Sequence, residues 1–148
     1  MQINCKINHK EYNLDIDPTL RVIDVLREVI GITSLKEGCG EGECGACSIF
    51  FDGKLINSCL LIAIQLQDAE ILTLDALSEE TQLIRENFEK SGAVQCGFCT
   101  GGFVLRSYDY IKDGGKKDEA SIKDALDGNI CRCTGYQKIV DAVMESIS

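Results

Sequence analysis

The segment Gly38-Cys39-Gly40-Glu41-Gly42-Glu43-Cys44-Gly45-Ala46-Cys47 is the most informative stretch of this chain. Its three cysteines read C-x4-C-x2-C, and Cys59 follows on the far side of an expected hairpin. That is the spacing of a plant-type [2Fe–2S] site. Gly38, Gly40, Gly42 and Gly45 alternate with the cysteines. Such a density of glycine would ruin a helix or strand. It suits a loop that turns its backbone N–H groups inward to solvate thiolate charge. Two other readings are open to this segment. Four cysteines with a C-x2-C pair also describe a structural zinc knuckle. A glycine-rich loop can also cradle phosphate, but no Lys-Ser/Thr follows and no G-x-G-x-x-G opens a helix.

A second group lies in the other half of the chain, as Cys96-x2-Cys99 and Cys131-x-Cys133. Each pair falls at the expected start of a helix, where free N–H groups and the helix dipole favour an anion. Facing each other, the two helix-start loops would close a four-cysteine cage. Spacing alone leaves zinc open as an alternative here. Two four-thiolate sites in 148 residues point to a protein that moves electrons one at a time.

Bulk composition narrows the classes. The hydrophobic fraction of 45% provides for a packed core. No apolar run is long enough to span a membrane. The N-terminal Met-Gln-Ile-Asn-Cys-Lys lacks the apolar stretch of a signal peptide. A cytoplasmic or otherwise reducing compartment is therefore expected, where clustered thiols read as metal ligands or redox groups rather than disulfides. The net charge of −9 argues against nucleic acid and against an anionic membrane surface. It suits docking onto a protein.

Residues 2–16 alternate as a hairpin, with Asn8-His9-Lys10 as the turn. Pro18 ends it, and Thr19 is placed to cap a helix over 20–30. That helix would turn Val22, Ile23, Leu26, Val29 and Ile30 inward, with Gly31 at its C′ position. Strands follow over 47–51, 54–58 and 70–74, the first two joined at Asp52-Gly53. Beyond 75–78 the pattern becomes helical, over about 79–90, 99–112, 118–127 and 135–147. Leu83, Ile84 and Phe88 are expected inward on the first of these, and Tyr136, Val140 and Val143 on the last. The natural cut separates a β-rich half from an all-α half, each with one cysteine group.

Four blocks now carry a resemblance: Thr33–Cys47, Ser58-Cys59-Leu60, Gly92–Thr100 and Gly128–Tyr136. In these blocks, and over essentially its whole length, the sequence resembles the small iron–sulfur subunit of the molybdenum hydroxylases, the xanthine dehydrogenase and aldehyde oxidoreductase group. The resemblance implies an α+β fold. A β-grasp plant-type ferredoxin domain over residues 1–75 would precede an all-α four-helix-bundle domain over residues 76–148. It implies two [2Fe–2S] clusters, one on Cys39, Cys44, Cys47 and Cys59 and one on Cys96, Cys99, Cys131 and Cys133. Gln95 and Cys133 match positions that lie against the pterin. A large molybdopterin-binding subunit and an FAD-binding medium subunit are the implied partners. Electrons would pass from molybdenum through the second cluster, then the first, to FAD or another acceptor. The reaction, RH + H₂O → ROH + 2e⁻ + 2H⁺, would take place on a partner, with a purine such as xanthine or another N-heterocycle as the expected substrate. The alternatives are a free-standing two-cluster ferredoxin and a CO- or aldehyde-oxidising member of the same family. One departure stands out: Thr100 is followed by Gly101, where the family usually has proline.

Other residues carry simpler readings. Cys5 shares a strand face with Ile3 and Ile7 and reads as a small buried apolar residue. His9, the only histidine, falls in a polar turn, and Glu41 and Glu43 read as solvated. Arg132 lies between two cysteines with no role fixed by sequence. No catalytic residue is expected on this chain.

Overall fold

The computed structural model describes residues 1–148. Its first half is a five-stranded sheet crossed by one helix. Strands β1 (Gln2–Ile7) and β2 (Lys10–Asp15) form the expected hairpin. Its turn is only two residues long. Asn8 and His9 both take positive φ, 51° and 69°, while Lys10 already pairs with Ile7. Two left-handed residues give the backbone twist that suits a tight hairpin. Strands β3 (Ser48–Phe51) and β4 (Lys54–Asn57) form a second hairpin through Asp52-Gly53. The fifth, β5 (Glu70–Leu72), lies between the hairpins, parallel to β1 and antiparallel to β3, in the order β2-β1-β5-β3-β4.

Helix α1 starts at Val22–Asp24 and continues as a π-helical turn, Val25–Ile30. The wider π turn explains which residues point inward. Val22, Ile23, Val25 and Leu26 are fully buried, whereas Val29, expected inward at a 3.6-residue period, is exposed. Gly31 ends the helix at φ 88°, as its C′ position requires. The cap differs from expectation. Thr19 donates its N–H and its hydroxyl to Asp17 Oδ1, closing a turn two residues before the helix. Arg21 sits at the N-cap position with no side-chain cap. Burying each large aliphatic side chain of α1 against the sheet contributes roughly 1.5–3 kcal/mol.

The second half holds α2 (Gln82–Lys90), α3 (Thr100–Lys112), α4 (Glu119–Ala125) and α5 (Gln137–Ser146). Ile84, Phe88, Val140 and Val143 are buried as expected, while Leu83 and Tyr136 are exposed. On α2 the inward position next to Phe88 belongs to Asn87, whose amide donates to Ser146 Oγ on α5 at 2.9 Å.

Two apolar clusters result. One gathers Ile3, Ile7, Val22, Leu26, Ile49 and Ile71, with Cys5 inside it. The other gathers Phe88, Phe103, Ile122, Ile139 and Val143. A small third cluster, Phe50, Leu77 and Leu105, joins sheet to bundle. Tyr108 of α3 meets Phe50 edge-on at 6.0 Å, and Lys112 Nζ lies 4.9 Å from the Phe50 ring centre. Helix α3 is thereby fixed across the sheet, with its N-terminus beside the Cys39–Cys47 loop.

Candidate metal centres

The Cys39–Cys47 loop wraps its backbone around a sulfur. The N–H groups of Glu41, Glu43 and Cys44 point at Cys39 Sγ, at 3.3, 3.2 and 3.3 Å. Gly40, Gly42 and Gly45 take φ of 69°, 80° and 74°, the left-handed geometry this convergence needs. The N–H groups, that of Glu41 foremost, draw the Cys39 thiol down to about 7. Cys59 stands on the short helical turn Ser58–Leu60 after β4. Burial, and then Cys47 beside it, push Cys59 up to about 11.

The loop is held from three sides. Arg21 on α1 grips Glu37 and Asp24 with its guanidinium. Asn57 Nδ2 donates to Gly42 O at 3.0 Å. Leu60 lies directly over Gly42, where a Cβ would fall 2.4 Å from Leu60 Cδ1.

At the second group, Cys99 occupies the N-cap position of α3, and Cys131 and Cys133 lie in the loop before α5. Cys96 and Cys133 are exposed with their sulfurs 3.5 Å apart, while Cys99 and Cys131 are buried. Burial, then Cys131, raise Cys99 to about 12. Burial also opposes ionisation of Cys131, but the Thr134 hydroxyl, donating to its Sγ at 3.4 Å, and Cys99 outweigh it and bring Cys131 to about 7. Tyr136 shapes this loop from a strained backbone, φ 73°. Its hydroxyl oxygen accepts from Cys131 N–H at 3.0 Å, and its ring meets Phe103 edge-on.

The sulfurs are grouped two by two. The Cys96 and Cys133 sulfurs are 3.5 Å apart, and Cys44 beside Cys39, Cys47 beside Cys59 and Cys131 beside Cys99 each influence their neighbour's ionisation. No three or more Cys, His, Asp or Glu side chains converge as a single metal ion would require. Four thiols per site would suit a [2Fe–2S] cluster, and the inward N–H groups at Cys39 would solvate its thiolate charge. The residues present fit two such clusters. When bound, each cluster supplies one-electron redox chemistry.

The sites meet in space. Cys39 and Cys44 share a cavity of about 450 Å³ with Cys96, Cys99, Cys131 and Cys133. Ile130 N–H donates to Cys44 O at 3.0 Å. Gly102, in the first turn of α3, packs against Gly45 so closely that a Cβ there would lie 2.2 Å from Gly45 O. A larger groove of about 550 Å³ lies over the β1–β2 hairpin beside Cys5 and Tyr12. It brings together no donor set of this kind, so the chemistry belongs to the smaller cavity.

Sequence reading brings all eight clustered cysteines to these two places. Gln95 is exposed, next to Cys96, and Arg132 is exposed between its two cysteines. Sequence reading missed Asn57, Asn129 and Tyr136 as parts of the sites. Their adjacency to Cys59 and to the Cys131/Cys133 pair was the available signal.

The fold and the paired thiols define an iron–sulfur protein, and comparison with known proteins agrees. Residues 73–144 match the family described as [2Fe-2S] binding domain. The chain is 40% identical over 147 residues to the nicotinate dehydrogenase small FeS subunit of Eubacterium barkeri, covering 98% of this chain and 94% of that one. It is 40% identical over 147 residues to the xanthine dehydrogenase iron-sulfur-binding subunit of Escherichia coli O157:H7, covering 97% and 92%. Among solved structures it resembles quinoline 2-oxidoreductase from Pseudomonas putida 86, with a TM-score of 0.91 and 35% identity over 98% of this chain and 91% of that one. The chain belongs to the small iron–sulfur subunits of the molybdenum hydroxylase family. Within an oxidoreductase complex such a chain is the non-catalytic electron-transfer subunit. No helix is long and apolar enough to cross a membrane.

Proposed function

We propose that this chain carries electrons through two [2Fe–2S] clusters between a molybdopterin-binding large subunit and an FAD-binding medium subunit. Cys39, Cys44, Cys47 and Cys59 hold one cluster, and Cys96, Cys99, Cys131 and Cys133 hold the other. The domains divide at residues 75 and 76, into a β-grasp ferredoxin-like unit and a helical unit. The two apolar clusters support that division, as does the sheet order with β1 parallel to β5.

The observation that carries the reading is the cavity that Cys39 and Cys44 line together with Cys96, Cys99, Cys131 and Cys133, where the Cys96 and Cys133 sulfurs lie 3.5 Å apart. Each residue then has a task. The loop amides solvate the Cys39 thiolate. Cys99 and Cys131 close the buried side of the second site, and Cys96 and Cys133 open it to a neighbour. Gln95, exposed beside Cys96, is placed to meet the pterin together with Cys133. The partners' substrate is an N-heterocycle: both named subunit relatives belong to enzymes named for nicotinate and xanthine.

A free-standing two-cluster ferredoxin is the competing reading. The surface favours the subunit. Val94, Phe98, Ile130 and Tyr136 expose apolar area around the second site, and Leu60, Ile62 and Ile64 do so beside the first. Anaerobic purification, iron and sulfide analysis and EPR after dithionite test the cluster reading. About four irons and four sulfides per chain are expected. A colourless protein with zinc in their place would overturn it. Co-purification of a pterin-containing large chain tests the partner.

A further inference from the structure

The amide of Asn57 stands between the two segments that bear the first site's cysteines, and its orientation is fixed. Its Nδ2 donates to Gly42 O at 3.0 Å. A backbone carbonyl has no proton to give, so only the NH₂ end of the amide can face it. Oδ1 is therefore turned the other way, toward Cys47 Sγ at 4.0 Å and Ser48 Oγ at 3.4 Å. Ser48 has one hydroxyl proton and already places it on Gly45 O at 2.7 Å. The remaining donor for Oδ1 is the Cys47 thiol, and a thiolate ligand has no proton to offer. The negative end of the amide dipole then faces an anionic sulfur.

We infer that Asn57 is a positioning residue that sets the reduction potential of the Cys39/Cys44/Cys47/Cys59 site, holding it low by presenting a carbonyl oxygen to Cys47. The inference rests on the cluster reading above. Adding an electron makes the site more negative, so an oxygen dipole aimed at one of its sulfurs opposes reduction. Hydrogen bonding and charge around the sulfurs are among the factors that set such potentials. The two ends of the site are thus treated oppositely: three N–H groups favour charge on Cys39, and a C=O disfavours it at Cys47.

The test uses the full chain carrying its clusters, with Asn57→Asp, Asn57→Leu and Asn57→Ala. Each site is followed separately by EPR-monitored redox titration. The first-site signal is assigned by its loss in Cys59→Ser, and the second site serves as internal reference. Asn57→Asp adds charge and should lower the first-site potential. Asn57→Leu and Asn57→Ala remove the dipole and should raise it. A shift of about tenfold in the reduced-to-oxidised ratio is expected in each direction, 59 mV for one electron, with the second site unmoved. A merely structural role would move all three variants the same way. Shifts of one sign, unchanged potentials, or loss of first-site iron from all three variants would each overturn the inference. Absence of iron from the wild-type first site would instead overturn the cluster reading beneath it.

Discussion

The N–H of Ile130 donates to the carbonyl of Cys44 at 3.0 Å, joining the loop of one cysteine group to the loop of the other. Each partner is covalently close to thiols: Cys44 is itself one, and Ile130 precedes Cys131. The two sites are therefore stitched together by main chain. Asn129 packs against Gly45 at the same seam, and its Nδ2 is buried with no hydrogen-bond partner. This seam runs between the two cysteine-bearing loops.

Iron content separates the two sites. Under the proposed ligand sets, Cys44→Ser and Cys99→Ser each remove one thiolate from a different set of four. Each variant should fall from about four irons per chain to about two, with one of two EPR signals lost and the other kept. Elemental analysis with EPR reads the outcome directly.

The glycine pair at the start of α3 should respond in opposite ways. At Gly102 a methyl group would strike Gly45 O, a backbone atom that cannot rotate away. Gly102→Ala should cost about 1–3 kcal/mol and lower the thermal midpoint. At Gly101 a Cβ would sit 3.1 Å from Ser34 O, a contact that a small adjustment relieves. Gly101→Pro should be tolerated and gain about 0.4–1 kcal/mol by restricting the unfolded chain. Calorimetry on both variants checks the contrast.

Tyr136→Phe removes the acceptor of the Cys131 amide and keeps the ring against Phe103. A lost hydrogen bond of this kind costs roughly 0.5–1.5 kcal/mol. The second site should release iron to a chelator faster than in wild type, while the first site releases at its usual rate. Equal release rates in wild type and variant would show that the hydroxyl does not hold the loop.

Acid should loosen α4 through its cap. Asp118 accepts from the Ser121 hydroxyl at 2.7 Å and from its N–H at 3.1 Å, which hold its carboxyl below the usual 3.8. A lowered folded-state value gives stability that is present above the unfolded value and lost as pH falls through the folded one. Asp118→Asn keeps a capping oxygen without the charge. Wild type and variant should differ most above pH 4 and converge below it, as read by urea unfolding across that range.

Much of the fold was legible because it rests on local rules. Asp52-Gly53 and Gly31 announce a hairpin turn and a helix end, and period-3.6 runs announce α2 to α5. What was missed depends on contacts between distant segments. Nothing local marks the π turn of α1 that leaves Val29 in solvent. Thr19 has a capping residue's chemistry, but Asp17, two positions earlier, captures its hydroxyl first. Leu83 and Asn87 both lie on α2, and the helical period alone cannot tell that Ser146 will satisfy an inward amide. The cysteines could be sorted into two groups of four because their spacing is local sequence information. The cavity that Cys39 and Cys44 share with the second group was not legible, because it requires Cys44 to meet Ile130 across 86 positions of chain.

At Gly102 and Gly45 one main chain rests on another with no side chain in between. Such a joint has no rotamers to sample and nothing compressible to yield. The approach of α3 to the Cys39–Cys47 loop is therefore set by backbone alone at this point, and exchanging side chains on the outer surface leaves it unchanged.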